Sequence, residues 1–251
     1  MQIKILIENE GTAPFIGEHG LAMYICHDNT EILLDAGMTG DFLHNAALLD
    51  CPVETVETAV LSHGHFDHAD GFPALFKRNS AVKVYARPAV MDPQYGPNGR
   101  YIGLTDCLKT EYAHRFILSD EQQEIAPGIW AVPDALDHEQ SLVAETDLGL
   151  VVMNSCCHAG ADNIVADILR CFPGKHVFAL IGGLHLMGPG GVSTLGMTPD
   201  TIRTMARRLT EELGVQRIYT GHCTGTPGYA LLEETVPGYI YPIHTGDILD
   251  F

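Results

Sequence analysis

The stretch Leu61-Ser62-His63-Gly64-His65-Phe66-Asp67-His68 places three imidazoles and a carboxylate close together in the chain. Neutral imidazole and carboxylate are ligands for zinc, iron or manganese. Crowding such groups is costly unless a cation neutralises and orders them. The pattern H-x-H-x-D-H therefore points to a metal centre, bracketed by apolar residues at 58–61 and 71–76. Three more histidines follow apolar runs, in Ser155-Cys156-Cys157-His158-Ala159-Gly160, Gly182-Gly183-Leu184-His185-Leu186 and Thr220-Gly221-His222-Cys223-Thr224-Gly225. Loops leaving one edge of a sheet converge readily on a site, so histidines sharing this placement reinforce one another. His27, His44, His114, His176 and His244 lack that context and read as surface or core residues.

These segments resemble the metallo-β-lactamase superfamily. The H-x-H-x-D-H stretch resembles its zinc-binding motif, and Glu31-Ile32-Leu33-Leu34-Asp35-Ala36-Gly37 resembles its strand ending in aspartate and glycine. With Glu18-His19-Gly20-Leu21, the later histidine segments are similar to one branch of it. That branch includes proteins named for 7,8-dihydropterin-6-yl-methyl-4-(β-D-ribofuranosyl)aminobenzene 5′-phosphate synthase. The likeness runs from residue 3 to residue 241, nearly the whole chain.

The resemblance implies a four-layer αββα sandwich holding two divalent metal ions, zinc first, with iron or manganese as alternatives. It assigns His63 and His65 to one metal, and Asp67 and His68 to a second roughly 3.5–4 Å away. His158 and His222 complete the coordination, with His158 available to both. Such a pair activates water as hydroxide by bringing its pKa to about 7. Asp67 both binds metal and accepts a proton, and Asp35 orients the imidazoles from behind. His185 is read as a proton donor or oxyanion contact facing substrate, with a structural histidine as the alternative. His19 is placed at the rim.

Two departures from the superfamily pattern stand out. The usual third motif, a histidine in an H-T-x-G context, has only Asp137-His138-Glu139-Gln140-Ser141-Leu142 as its nearest equivalent. Either His138 or Glu139 reaches the metals, or neither does. Where a bridging aspartate is usual, Cys157-His158 stands instead, which leaves a mononuclear site open. Cys157 reads as a small core thiol.

The elements that must position these residues are legible as apolar patterns. Strands are expected at 3–7, 21–26 and 32–34, the last two a hairpin across His27-Asp28-Asn29-Thr30. A helix is expected at 41–49, then a strand at 58–61 delivering the cluster, a short helix after Gly71, and a strand at 82–85. Residues 87–106 hold three prolines and three glycines and read as a long loop, either a substrate wall or a surface insertion. Further strands are expected at 129–132, 142–145, 148–153, 176–181, 216–220 and 239–243. Helices are expected at 162–169, from Thr198 to Gly214, and at 229–234, with Thr198 as cap and Pro199 in the first turn. Residues 182–196, rich in glycine, are expected to be mobile. No repeat or linker appears, so residues 1–251 read as one domain.

The chain has 251 residues, 46% of them hydrophobic and 18% charged, a globular balance able to bury a sizeable core. Its net charge of −18 repels phosphate backbones and anionic lipids, so neither nucleic acid nor membrane is expected as a partner. The start has no leader-like pattern, and no apolar run reaches the roughly 18 residues needed to span a bilayer. Seven cysteines without a C-x-x-C pair suit reduced thiols in a cytoplasm. Cys157 and Cys223 each adjoin a candidate ligand histidine.

The function these features favour is a metal-dependent hydrolase acting on a small-molecule ester, thioester, amide or phosphoester. A synthase joining a pterin-like ring to an aminobenzene ribosyl phosphate is the alternative. It needs cations for the phosphate, and Arg87, Arg100 and Lys109 are best placed by sequence. An iron-dependent redox protein and a metal-holding binding protein are further readings.

Overall fold

The structure, a computed structural model, describes residues 1–136 and 138–251. The chain forms two large sheets. The first contains β1 (Gln2–Ile7), β2 (Ala22–His27), β3 (Thr30–Leu34), β4 (Thr58–Val60), β5 (Lys83–Ala86) and β6 (Phe116–Leu118). The second starts with β7 (Gln123–Ala126), β8 (Ile129–Pro133), β9 (Gln140–Thr146), β10 (Gly149–Met153) and β11 (Val177–Gly182). After a small hairpin of β12 (Met187–Gly188) and β13 (Gly191–Leu195), β14 (Arg217–Thr220) and β15 (Ile240–Pro242) complete the second sheet. Finally, β16 (Ile248–Asp250) returns to the edge of the first, beside β1.

The strand orders are β16-β1-β2-β3-β4-β5-β6 and β15-β14-β11-β10-β9-β8-β7. Each sheet changes from antiparallel to parallel part-way across. Pairing is antiparallel through β1, β2 and β3 and parallel from β3 to β6. It is antiparallel from β7 to β10 and parallel through β10, β11, β14 and β15. Parallel strands share the direction of their carboxyl ends. The residues after β3 and β4, and those after β10, β11 and β14, are thus delivered at one edge of each sheet.

The helices are α1 (Asp41–Leu48), α2 (Phe66–Ala69), α3 (Phe72–Arg78), α4 (Asp106–Lys109), α5 (Ala161–Cys171), α6 (Pro199–Arg207) and α7 (Thr226–Thr235). Between the sheets, Ile3, Ile25, Ile32, Leu34 and Val60 meet Leu142, Val151, Met153, Ala179 and Ile181. Outside the first sheet, Leu33 and Ala59 pack with Phe42 of α1 and Phe72 and Leu75 of α3. Outside the second, Leu150, Val152 and Leu180 pack with Ile164 and Ile168 of α5 and Ile202 of α6. This is the expected αββα layering. Leu150 and Val152 face helices while Val151 and Met153 face the other sheet, so β10 reads as an unbroken apolar run because both faces are buried.

Thr198 caps α6 as expected, its Oγ1 accepting the Thr201 N–H at 3.2 Å. Residues 182–196 include the β12–β13 hairpin, with the Gly196 N–H donating to the Leu186 carbonyl at 2.7 Å. No described helix is long and apolar enough to cross a membrane.

Candidate metal centre

Four non-glycine residues at this edge hold left-handed backbone: Asp35 (φ 58°), Cys157 (54°), His185 (52°) and His222 (48°). Such conformations cost on the order of 1–3 kcal/mol each and persist where surroundings over-determine them. Here each follows a strand of the two sheets, at the edge where the donor clusters gather.

One cluster combines His63, His65, His158 and His138, with candidate donor atoms within 4.8 Å of one another. His63 Nε2 lies 3.0 Å from His65 Nδ1 and 3.3 Å from His158 Nε2. Burial holds the His63, His158 and His138 imidazoles below their ordinary range, and neighbouring imidazoles reinforce this. Burial also lowers His65 to about 3 against the opposing charge of Asp67. Neutral imidazoles with nitrogens turned toward one another compete for protons. A shared cation would end that competition, so this donor set fits a metal.

Beside it, Asp67 Oδ2 lies 3.3 Å from His19 Nε2, 3.5 Å from His222 Nε2 and 3.7 Å from His68 Nε2. Burial raises the Asp67 pKa, but the imidazoles of His68, His222 and His19 outweigh it and the net shift is downward. Burial lowers His68, yet Asp67 and Asp35 bring it up to about 9. His222 falls to about 4, chiefly through burial. This second group of imidazoles around an ionised carboxylate also fits a dication.

The supporting contacts are extensive. Asp35, fully buried, accepts from the Ser62 N–H and hydroxyl at 2.7 Å each, from Ser155 Oγ at 2.6 Å, and pairs with His68 Nδ1 at 2.8 Å. Asn9 and Glu8, which sequence reasoning missed, hold the His222 turn. Asn9 Oδ1 lies 3.1 Å from His222 Nδ1, and Glu8 accepts the His222 N–H. Nothing in their local sequence context marks either one, because β1 lies far from His222 in the chain.

At residues 138–139 the two side chains take different places. His138 joins the first cluster, whereas Glu139 supports it from behind. Glu139 Oε1 accepts the Cys156 N–H at 2.8 Å and Oε2 the His158 N–H at 2.9 Å. Burial pushes Glu139 up to about 8. Asp137 lies outside the described residues. The two sulfurs at the site belong to Cys156 and Cys223. Cys157 packs into the apolar layer under α5, as the core-thiol reading expected.

His185 is exposed, its ring centroid 4.2 Å from that of His158. A hydrogen bond with Cys223 raises its pKa. His19 is exposed at the rim against Asp67, as expected.

Residues 16–193 match the family model described as the metallo-beta-lactamase superfamily. The chain belongs to that superfamily. A curated protein of Methanocaldococcus jannaschii, 7,8-dihydropterin-6-methyl-4-(beta-D-ribofuranosyl)-aminobenzene-5'-phosphate synthase, is 24% identical over 279 residues, covering 95% of this chain and 92% of its own length. Among solved structures, Tm1679, described as a metal-dependent hydrolase of the beta-lactamase superfamily, is 27% identical with a TM-score of 0.84, covering 100% of this chain and 99% of its own. YhfI from Bacillus subtilis, a metallo-beta-lactamase fold protein, is 13% identical with a TM-score of 0.64, over 99% and 98% of the two chains.

As a metallo-β-lactamase superfamily member, the chain presents its clustered donors to two openings. A cavity of about 550 Å³ beside His222 and His19 is lined by Glu8, Glu10, Val192 and Tyr229 among others. Another, of about 350 Å³, adjoins His65 and His138 and is walled by Asp92, Gln94 and Tyr95. Residues 87–106 thus wall the first cluster. Arg87 does not suit the phosphate role sequence reasoning gave it. It is buried and bonds Asp134 Oδ1 and Asp120 Oδ1 at 3.0 Å each, fastening the loop to the segment that carries Glu139.

Proposed function

We propose that this protein is a hydrolase of small molecules, cleaving an ester, thioester, amide or phosphoester at a two-metal centre, with zinc the metal best suited. The observation that carries this reading is the pair of adjacent donor clusters, one around His63, the other around Asp67, each beside an open cavity. His63, His65, His158 and His138 would hold one ion, and Asp67, His68 and His222 the other. Bound dications supply Lewis acidity and acidify water to a pKa of about 7. Asp67, whose carboxylate the surrounding imidazoles keep ionised, would help hold an ion and would be positioned to accept a proton there. His185, exposed beside His158, would donate a proton to the leaving group or contact an oxyanion. Asp35 and Glu139 keep the imidazoles and the His158 turn in place. The negative chain favours a free small molecule over nucleic acid or membrane as substrate, and the reduced thiols suit the cytoplasm.

The synthase reading draws support from the Methanocaldococcus jannaschii relative, which matches along nearly the whole chain. With Arg87 already engaged, Arg100, over the Phe66 ring at 5.3 Å, and Lys109, over the Tyr101 ring at 5.5 Å, are the cations left near the walling loop.

A substrate panel tests both readings. It contains esters, thioesters, lactones, amides and phosphodiesters, together with a dihydropterin and an aminobenzene ribosyl phosphate as a pair. Hydrolysis of at least one class is expected, abolished by chelator and restored by zinc. Condensation of the pair without hydrolysis would replace the hydrolase reading with the synthase. Turnover unaffected by chelator would remove the metal from the mechanism.

A further inference from the structure

Cys156 lies between the two donor clusters. Its sulfur falls within 4.8 Å of candidate donors from His63 and His68 on one side, and of those from His222 and Cys223 on the other. It is 3.4 Å from His68 Nε2. Two donors on one tetrahedral zinc, at about 2.3 Å for sulfur and 2.0–2.1 Å for nitrogen, stand roughly 3.6 Å apart. The Cys156–His68 separation is close to that value, as are those from Asp67 to His68 and His222, at 3.7 and 3.5 Å. The backbone selects this thiol over its neighbour. Glu139 holds the Cys156 N–H, and the left-handed turn at Cys157, whose N–H donates to Asn154 Oδ1 at 2.6 Å, sends the next side chain into the core. Room for sulfur is built in on the far side too. A Cβ at position 183 would collide with Cys223 Sγ, so Gly183 is what lets that thiol lie against the site.

We infer that Cys156 supplies a thiolate ligand to the metal centre, between the two metal positions, with Cys223 as the adjoining sulfur. The inference rests on the metal-centre reading above and adds the identity of a donor. On binding, the Cys156 S–H bond breaks, a sulfur–metal bond forms, and the proton leaves to solvent. Thiolate is a soft donor, so the centre favours zinc over manganese or magnesium, which suit oxygen ligands.

X-ray absorption on zinc-loaded protein tests this without any substrate. The wild type is expected to show a sulfur shell at about 2.3 Å beside nitrogen and oxygen at about 2.0–2.1 Å. Cys156→Ser should lose or weaken that shell while still binding zinc, and Cys157→Ser should keep it unchanged. A wild-type spectrum with nitrogen and oxygen alone would overturn the thiolate and leave the metal centre standing. Failure of the folded wild type to bind zinc would overturn both. Loss of the shell in Cys157→Ser with retention in Cys156→Ser would also refute the assignment. Should Cys156→Ser not fold, cobalt-substituted wild type decides, because thiolate ligation gives sulfur-to-cobalt charge-transfer absorption in the near ultraviolet and its absence refutes the proposal.

Discussion

Asp67→Asn is expected to lower turnover by about 10²–10⁴-fold, the range for losing a positioned acid–base group, and to reduce metal content at the second position. The substitution keeps the shape of the side chain and removes its charge. Its Oδ2 is the atom that His19, His68 and His222 face, so neutralising it removes the anion that attracts a cation there. The backbone of α2 does not depend on that carboxylate. The Phe66 N–H donates to the Ile102 carbonyl at 2.9 Å, and the Ala36 N–H to the His68 carbonyl at 2.8 Å. The variant should therefore fold with near-native thermal stability. Wild-type turnover in Asp67→Asn would eliminate this carboxylate from the chemistry.

Asp35→Ala should act on stability and metal binding together. Asp35 ties the two halves of the sandwich, since Ser62 and His68 come from the first sheet's loops and Ser155 from the second's. Removing one partner from this buried, hydrogen-bonded network costs about 3–5 kcal/mol, or a fall in Tm of roughly 6–20 °C for a chain this size. Losing the group that orients His68 should weaken metal binding about 10–100-fold. Asp35→Asn should be milder, because asparagine tolerates the left-handed backbone at this position. The measurements are thermal unfolding of metal-free protein and zinc titration. If Asp35→Ala melts with the wild type and binds zinc equally well, Asp35 has neither role.

The metal-ligand candidates from His63 to His68 were legible because their spacing is local and needs no fold to be noticed. The buried strands were legible as apolar runs, β10 above all. What escaped depends on distance or on a single backbone turn. His138 reaches the first cluster only because β9 pairs with β8 and β10 across the second sheet. Cys156 and Cys157 are indistinguishable as types, and the left-handed φ at Cys157 decides which one faces the metals. The strands β6 and β16 are three residues each, half-exposed or exposed throughout, and too short to carry a readable apolar run. From sequence alone Arg87 reads as available to a substrate, because the carboxylates that engage it, Asp120 and Asp134, lie far along the chain.

Whether these clusters hold two metal ions is tested most directly by mass-spectrometric metal analysis of untagged protein never exposed to chelator. About two zinc per chain are expected. Folded protein without bound metal would contradict that expectation.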